Sequence, residues 1–164
     1  MTRLGAWFAA RLEQTVRAAP EWFPADVAVP VPLHPARQRE HGYKQPELMA
    51  RPLARKLEMP LGAHRLVRTK PRPPRLLLSR RERWQTVRSA YEIRKDTQVD
   101  NLRVLLIDHV FTTGATLDAC ARALKQAGAK SVVGITVAKV LSRGRAFSGR
   151  PAELNKNQTP VGSI

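Results

Sequence analysis

The spacing of hydrophobic positions changes along the chain, and the changes divide it into elements. Leu4, Trp7, Phe8, Leu12 and Val16 recur at three- and four-residue intervals, which predicts an amphipathic helix over 4–19 closed by Pro20 and Pro24. Asp26-Val-Ala-Val-Pro30-Val-Pro32-Leu33 is a β-branched run, a strand that frays into a proline-stiffened loop from His34 to Gln45. Leu48, Leu53 and Leu57 suggest a second helix over 47–57; Pro46 suits its first turn, and Pro52 is expected to kink or shorten it. Residues 65–83 carry Pro71, Pro73 and Pro74 and read as a long mobile loop, with Ser79-Arg-Arg-Glu82 shaped like a capping box opening a short helix.

The second half has the clearest pattern. Leu102 to Asp108 holds five aliphatics, four of them consecutive, a run too short for a helix and suited to a parallel strand covered on both faces. Leu117, Cys120, Ala121 and Leu124 then form a helical stripe that Thr116 is placed to cap and Gly128 to end. Ser131 to Val140 is the next strand, completing a βαβ unit. Residues 143–164 show no periodicity, so the expected organisation is one α/β domain over 1–141 and a disordered tail over 142–164.

Composition narrows the class. At 164 residues and 43% hydrophobic content the chain can bury a real core. No apolar run approaches the roughly 20 residues that cross a bilayer, and no secretory leader is expected. Cys120 is the single cysteine, which excludes an internal disulfide; its place on the apolar stripe reads as a small core residue, and a reducing, cytoplasmic setting is expected. The histidines at 34, 41, 64 and 109 lack metal-ligand spacing with each other or with Cys120.

Charge changes the picture more. Twenty-nine Lys and Arg against thirteen Asp and Glu leave a net of +16. Eleven of the bases fall between Arg65 and Lys95, against only Glu82 and Glu92. Such an excess suits phosphate-bearing partners, either nucleic acid or a polyphosphate substrate, although a basic surface is also a common solvated one.

The chemistry concentrates where the best strand meets its helix, in Val104-Leu-Leu-Ile-Asp108-His109-Val-Phe-Thr112-Thr113-Gly114-Ala115-Thr116. Backbone N–H groups over 112–116 at a helix N-terminus favour an anion. The hydroxyls of Thr112, Thr113 and Thr116 add donors, and Gly114 admits a phosphate that a Cβ would exclude. Asp108, at the strand end, is placed to accept hydrogen bonds from ribose hydroxyls. Small residues also simply make turns, and Asp108 alone also suits a helix cap. The absence of Gly-Lys-Ser/Thr excludes a Walker loop.

Val104–Thr116 resembles the PRPP-binding motif of type I phosphoribosyltransferases. The wider likeness is to their competence-associated ComF/GntX-like branch. It runs through Pro30-Val-Pro-Leu-His34-Pro-Ala-Arg37, His41-Gly-Tyr-Lys-Gln45, Leu78-Ser-Arg80-Arg81-Glu-Arg83 and Val87-Arg88-Ser-Ala-Tyr91, in the family's order over roughly 20–140. The resemblance implies a type I phosphoribosyltransferase fold: a central, mainly parallel sheet flanked by helices, with a small hood. PRPP and Mg²⁺ would bind at the carboxyl ends of the strands. Asp108 and His109 would be catalytic, and Thr112, Thr113, Gly114, Ala115 and Thr116 would hold the 5-phosphate. Arg37, Arg39 and His41 would form the pyrophosphate loop, and Arg80, Arg81 and Arg88 would belong to the flexible loop that closes over the site. The metal would arrive with PRPP, with Asp108 as its only candidate protein contact. The acceptor-selecting hood would comprise the first 25 residues and the 60–90 region.

The chain departs from the pattern at functional positions. His109 replaces a second acid, which removes fixed negative charge from the ribose face. His41 stands where Arg is usual, Lys44 where Asn is, Arg75 where Gln is common, and Thr86 where Asn is common. The family's N-terminal zinc-binding cysteines have no counterpart, and the chain reads as beginning at the helix after them. Two functions follow: a working transferase of unknown acceptor, or a catalytically weakened protein of the same fold. The second would serve DNA uptake with single-stranded DNA and a competence helicase as partners. Only the broad charge favours the second, since no regular aromatic interleaving marks a stacking platform.

Overall fold

The computed structural model describes residues 3–33, 45–70, 80–140 and 161–163. Four parallel strands form one sheet in the order β1 (Val27–Pro30), β4 (Arg103–Phe111), β5 (Ser131–Lys139), β6 (Val161–Ser163). A second, two-stranded antiparallel sheet pairs β2 (Leu66–Arg68) with β3 (Tyr91–Ile93).

Helices cover both faces of the larger sheet. α1 (Arg3–Ala18) and α2 (Gln45–Lys56) pack on one face, where Ala9, Leu12, Val16, Ala50 and Leu53 meet Ala28, Leu105, Ile107 and Ile135. α4 (Ala115–Gln126) packs on the other through Leu117, Cys120, Ala121 and Leu124 against Val104, Leu106 and Val132. Alternate residues of β4 thus serve opposite layers, as strand geometry requires. The run Val104 to Ile107 is buried throughout because both faces are covered. α3 (Arg80–Arg88) lies against α4 and leads into β3.

Buried α1 residues follow Gly5, Ala9, Leu12 and Val16 rather than the bulkier stripe read from sequence; Leu4 and Trp7 face outward, with Arg11 stacked 5.7 Å from the Trp7 ring. Because α1 joins the main core, the first 25 residues are a layer of the domain and not part of a hood. The hood is β2 and β3, joined through α3. Pro52 does not end α2: it is buried inside a helix running on to Lys56, where tertiary packing outweighs the one lost backbone bond. Glu13 links the two helices, accepting from Lys56 Nζ at 2.7 Å and Arg17 Nε at 3.0 Å.

Three further expectations change. The stretch 65–83 is not all loop, since β2 occupies Leu66–Arg68 and α3 begins at Arg80; residues 71–79, including Ser79 of the expected capping box, lie outside the described residues. β4 runs three residues past Asp108, because β5 extends far enough to pair Val110 with Ala138 and Phe111 with Lys139. In the tail, Val161–Ser163 adds to the edge of β5, where unpaired backbone groups offer a partner; residues 141–160 lie outside the description. No helix among the described residues is long and apolar enough to cross a membrane.

The amino ends of β1 and β4 are clamped together. The Asp26 carboxylate accepts from the Arg103 backbone N–H at 2.8 Å and from its guanidinium at 2.6 and 3.1 Å. That pairing pulls the Asp26 carboxyl down to about 2. The clamp lies at the end of the strands opposite the chemistry.

Candidate functional site

β1, β4 and β5 run parallel, so their carboxyl ends lie together, and the motif residues fall at the end of β4. Asp108 is buried, at 6% exposure, on the α4 face of the sheet, with Thr136 as its neighbour on β5. Its Oδ1 accepts the His109 backbone N–H at 2.8 Å and lies 3.0 Å from His109 Nδ1. The imidazole is 41% exposed, so one ring edge is tied to the acid and the other is open.

The turn after β4 is shaped by Gly114. Its φ of 78° is left-handed, and it occupies the N-cap of α4 without a side-chain capping bond. Thr116 is therefore not the cap; it lies inside the first turn. The Thr113 hydroxyl accepts from the Ala115 N–H at 3.4 Å, while Thr112 and Thr113 are both exposed. A Cβ on Gly114 would sit 3.0 and 3.1 Å from Cε2 and Cζ of Phe111, so the ring floors the turn, with Lys139 Nζ 5.7 Å from its centroid. The N–H groups of Thr116 and Leu117 lie in the helix's first turn, where no carbonyl four residues back can take them. The arrangement sets backbone and hydroxyl donors at a helix N-terminus in the turn that follows a buried acid.

The hood supplies residues that sequence reading did not assign to the site. Tyr91 of β3 is buried against α4, beside Thr116. Burial pushes its hydroxyl well above the usual phenol range, reinforced by the neighbouring Cys120 and Asp108. The Arg68 guanidinium lies 5.4 Å from the Tyr91 ring centroid. Cys120, fully buried below the turn, has its thiol pushed up by burial first and the charge of Asp108 second. Thr136 Oγ1 is buried without a hydrogen-bond partner among the described residues. Tyr91 and Phe111 fall inside the segments that carry the resemblance, but no sequence signal gave either a role at this site, because each reads as an ordinary apolar position.

Between β1 and the hood runs a cleft of about 190 Å³, walled by Pro30, Val31 and Pro32 on one side and by His64, Leu66 and Arg68 on the other. Arg88, in the last turn of α3, is exposed. Arg80 and Arg81 open α3, but their side chains lie outside the described residues, as do Arg37, Arg39 and His41 altogether. Among the described residues no three His, Cys, Asp or Glu side chains gather to hold a metal, and Asp108 already spends one oxygen on His109.

A family model of the phosphoribosyl transferase domain matches residues 47–158, which includes β4, the Gly114 turn and α4. The chain belongs to that family. Among curated relatives, "Competence protein F" of Haemophilus influenzae is 31% identical over 108 residues, covering 65% of this chain and 47% of the relative. "Competence protein ComFC" of Bacillus subtilis is 33% identical over 113 residues, covering 68% and 43%. The phosphoribosyltransferase chain thus spans less than half the length of these relatives. Of the solved structures, adenine phosphoribosyltransferase from Saccharomyces cerevisiae is similar in fold, with a TM-score of 0.54 at 18% identity over 94% of this chain and 73% of that one. The type I phosphoribosyltransferase fold is accordingly this chain's own, and its homology is to competence-associated proteins.

Proposed function

We propose that this protein binds PRPP, with Mg²⁺ carried on the pyrophosphate, and transfers its phosphoribosyl group to an acceptor held in the cleft between β1 and the hood. The observation that carries the reading is the left-handed Gly114 turn, which sets a helix N-terminus and two exposed threonine hydroxyls beside a buried acid. Thr112, Thr113, Gly114, Ala115 and Thr116 hold the 5-phosphate; backbone donors and the helix dipole favour its charge. Asp108 keeps Oδ2 for a ribose hydroxyl. Arg88, with Arg80, Arg81, Arg37, Arg39 and His41, serves the pyrophosphate, whose charge grows as the C1–O bond breaks. Cytoplasmic action follows from these substrates and the single reduced cysteine.

Calorimetric titration of Mg·PRPP and of ribose 5-phosphate tests the reading. Binding of both, with Gly114→Val abolishing both, is the expected outcome. A folded wild type that binds neither ends the proposal.

A second reading rests on the net charge of +16, on the exposed Trp7–Arg11 pair, and on the competence names of the relatives. In it the fold serves single-stranded DNA and a competence helicase. Affinity for an oligonucleotide falling steeply with salt supports it; no affinity at low salt removes it.

A further inference from the structure

The family likeness makes position 109 an acid, and an acid there can only accept a hydroxyl's hydrogen bond. The structure puts a different instrument in its place. Oδ1 of Asp108 receives the His109 backbone N–H at 2.8 Å, so that oxygen is an acceptor. Nδ1 of the same histidine lies 3.0 Å from the same oxygen, and two acceptors do not bond one another, so Nδ1 must carry the proton. In the neutral ring that leaves Nε2 as a bare lone pair. The acid is buried and the ring is 41% exposed, so the fixed edge points inward and the basic edge is reachable.

The position suits a proton to be removed. β1 pairs Pro30 with Ile107 in parallel register, and the Val31 N–H donates to the Ile107 carbonyl at 2.8 Å. Continuing that register brings Val31 and Pro32, both walls of the cleft, alongside Asp108 and His109. The cleft wall therefore runs alongside the strand end that carries the imidazole, and the Gly114 turn begins three residues further along the chain.

We infer that Asp108 and His109 form a carboxylate–imidazole base that takes the proton from the nucleophile attacking the ribose C1. The inference rests on the PRPP reading above and gives that site a step. The O–H or N–H nucleophile forms a bond to C1 through its lone pair. The C1–O bond to pyrophosphate breaks, and its electron pair leaves on pyrophosphate. The nucleophile's proton passes to Nε2, giving an imidazolium whose Nδ1–H stays on Asp108; the proton returns to water when products leave. His109 is the catalytic group and Asp108 positions it by fixing the tautomer. Seen this way, loss of the second acid exchanges a fixed charge at the strand end for a proton acceptor.

The tautomer is measured directly. In protein labelled with ¹⁵N-histidine, long-range ¹H–¹⁵N correlation is expected to show His109 protonated at Nδ1, and Asp108→Ala to move the proton to Nε2, the form free imidazole prefers. An Nε2-protonated His109 in the wild type overturns the inference. Turnover gives the second arm: pyrophosphate release from Mg·PRPP with water, ammonia or hydroxylamine as nucleophile. His109→Asn keeps a donor near Asp108 but holds no base, and kcat is expected to fall by about 10²–10⁴ with KM for PRPP changed by less than about threefold. Equal kcat overturns the inference. So does a wild type that binds PRPP yet releases no pyrophosphate with any of the three, a result that leaves the phosphate cup standing. A wild type that binds neither PRPP nor ribose 5-phosphate removes the cup, and the base with it.

Discussion

Tyr91, on the hood strand β3, packs in one buried cluster with Leu117, in the first turn of the helix that Gly114 opens. Hood and helix N-terminus thus share one core. Tyr91→Phe keeps the ring and removes a hydroxyl that burial pushes above the usual phenol range, so it is expected to move urea unfolding by no more than about 1 kcal/mol. Ribose 5-phosphate affinity should fall with it, because the hydroxyl lies beside Thr116 of the proposed phosphate turn. Unchanged affinity would assign the hydroxyl to the fold alone.

Gly114 offers a sharper test because two costs meet there. Gly114→Ala must adopt a φ near 78° and place its Cβ 3.0 Å from the Phe111 ring. The left-handed backbone alone costs about 1–2 kcal/mol. Trimming the ring in Phe111→Leu should recover the contact share in the double variant but not the backbone share. Denaturation midpoints of the three variants separate the two.

Asp26 governs a different property. Its carboxyl is pulled down to about 2 by the Arg103 guanidinium and then by the Arg103 backbone N–H. A depressed folded value means the stabilisation is present above the ordinary carboxylate range near about pH 4 and is lost as pH falls toward about 2. Tm should therefore drop through that window in the wild type and change less in Asp26→Asn. Equal slopes would show that the pair, being exposed, contributes nothing measurable.

Arg88 distinguishes the two ends of the proposed substrate. Arg88→Ala is expected to weaken PRPP by about tenfold while leaving ribose 5-phosphate unchanged, since only PRPP carries the pyrophosphate. Parallel titrations decide it; equal loss for both ligands would move Arg88 out of the pyrophosphate role.

The phosphoribosyltransferase fold was readable from particular runs. Val104–Ile107 reported a strand covered on both sides, and Leu117, Cys120, Ala121 and Leu124 reported the helix behind it, because burial on a regular element leaves a period in the chain. The end of β4 was not readable, since pairing of Phe111 with Lys139 depends on the length of a partner strand. Nor was the outward turn of Leu4 and Trp7, where Gly5 and Ala9 let the helix sit close to its neighbours. The motif announced Asp108 and the Gly114 turn in sequence order. Tyr91 and Arg68 reach the same place from the hood, and a through-space approach leaves no local spacing to read.

The burial of Cys120 gives the protein a reporter of its own motions. The thiol lies in the helix that opens at the Gly114 turn, in the same cluster as Leu117 and Tyr91, and it is the chain's only one. An alkylating reagent can reach it only when α4 lifts from the sheet or the hood strand swings away, so the labelling rate measures how often that region opens. A ligand that bridges the turn and the hood should slow labelling in proportion to its occupancy. Counting modified thiols against time would then follow the breathing of the site without any added probe.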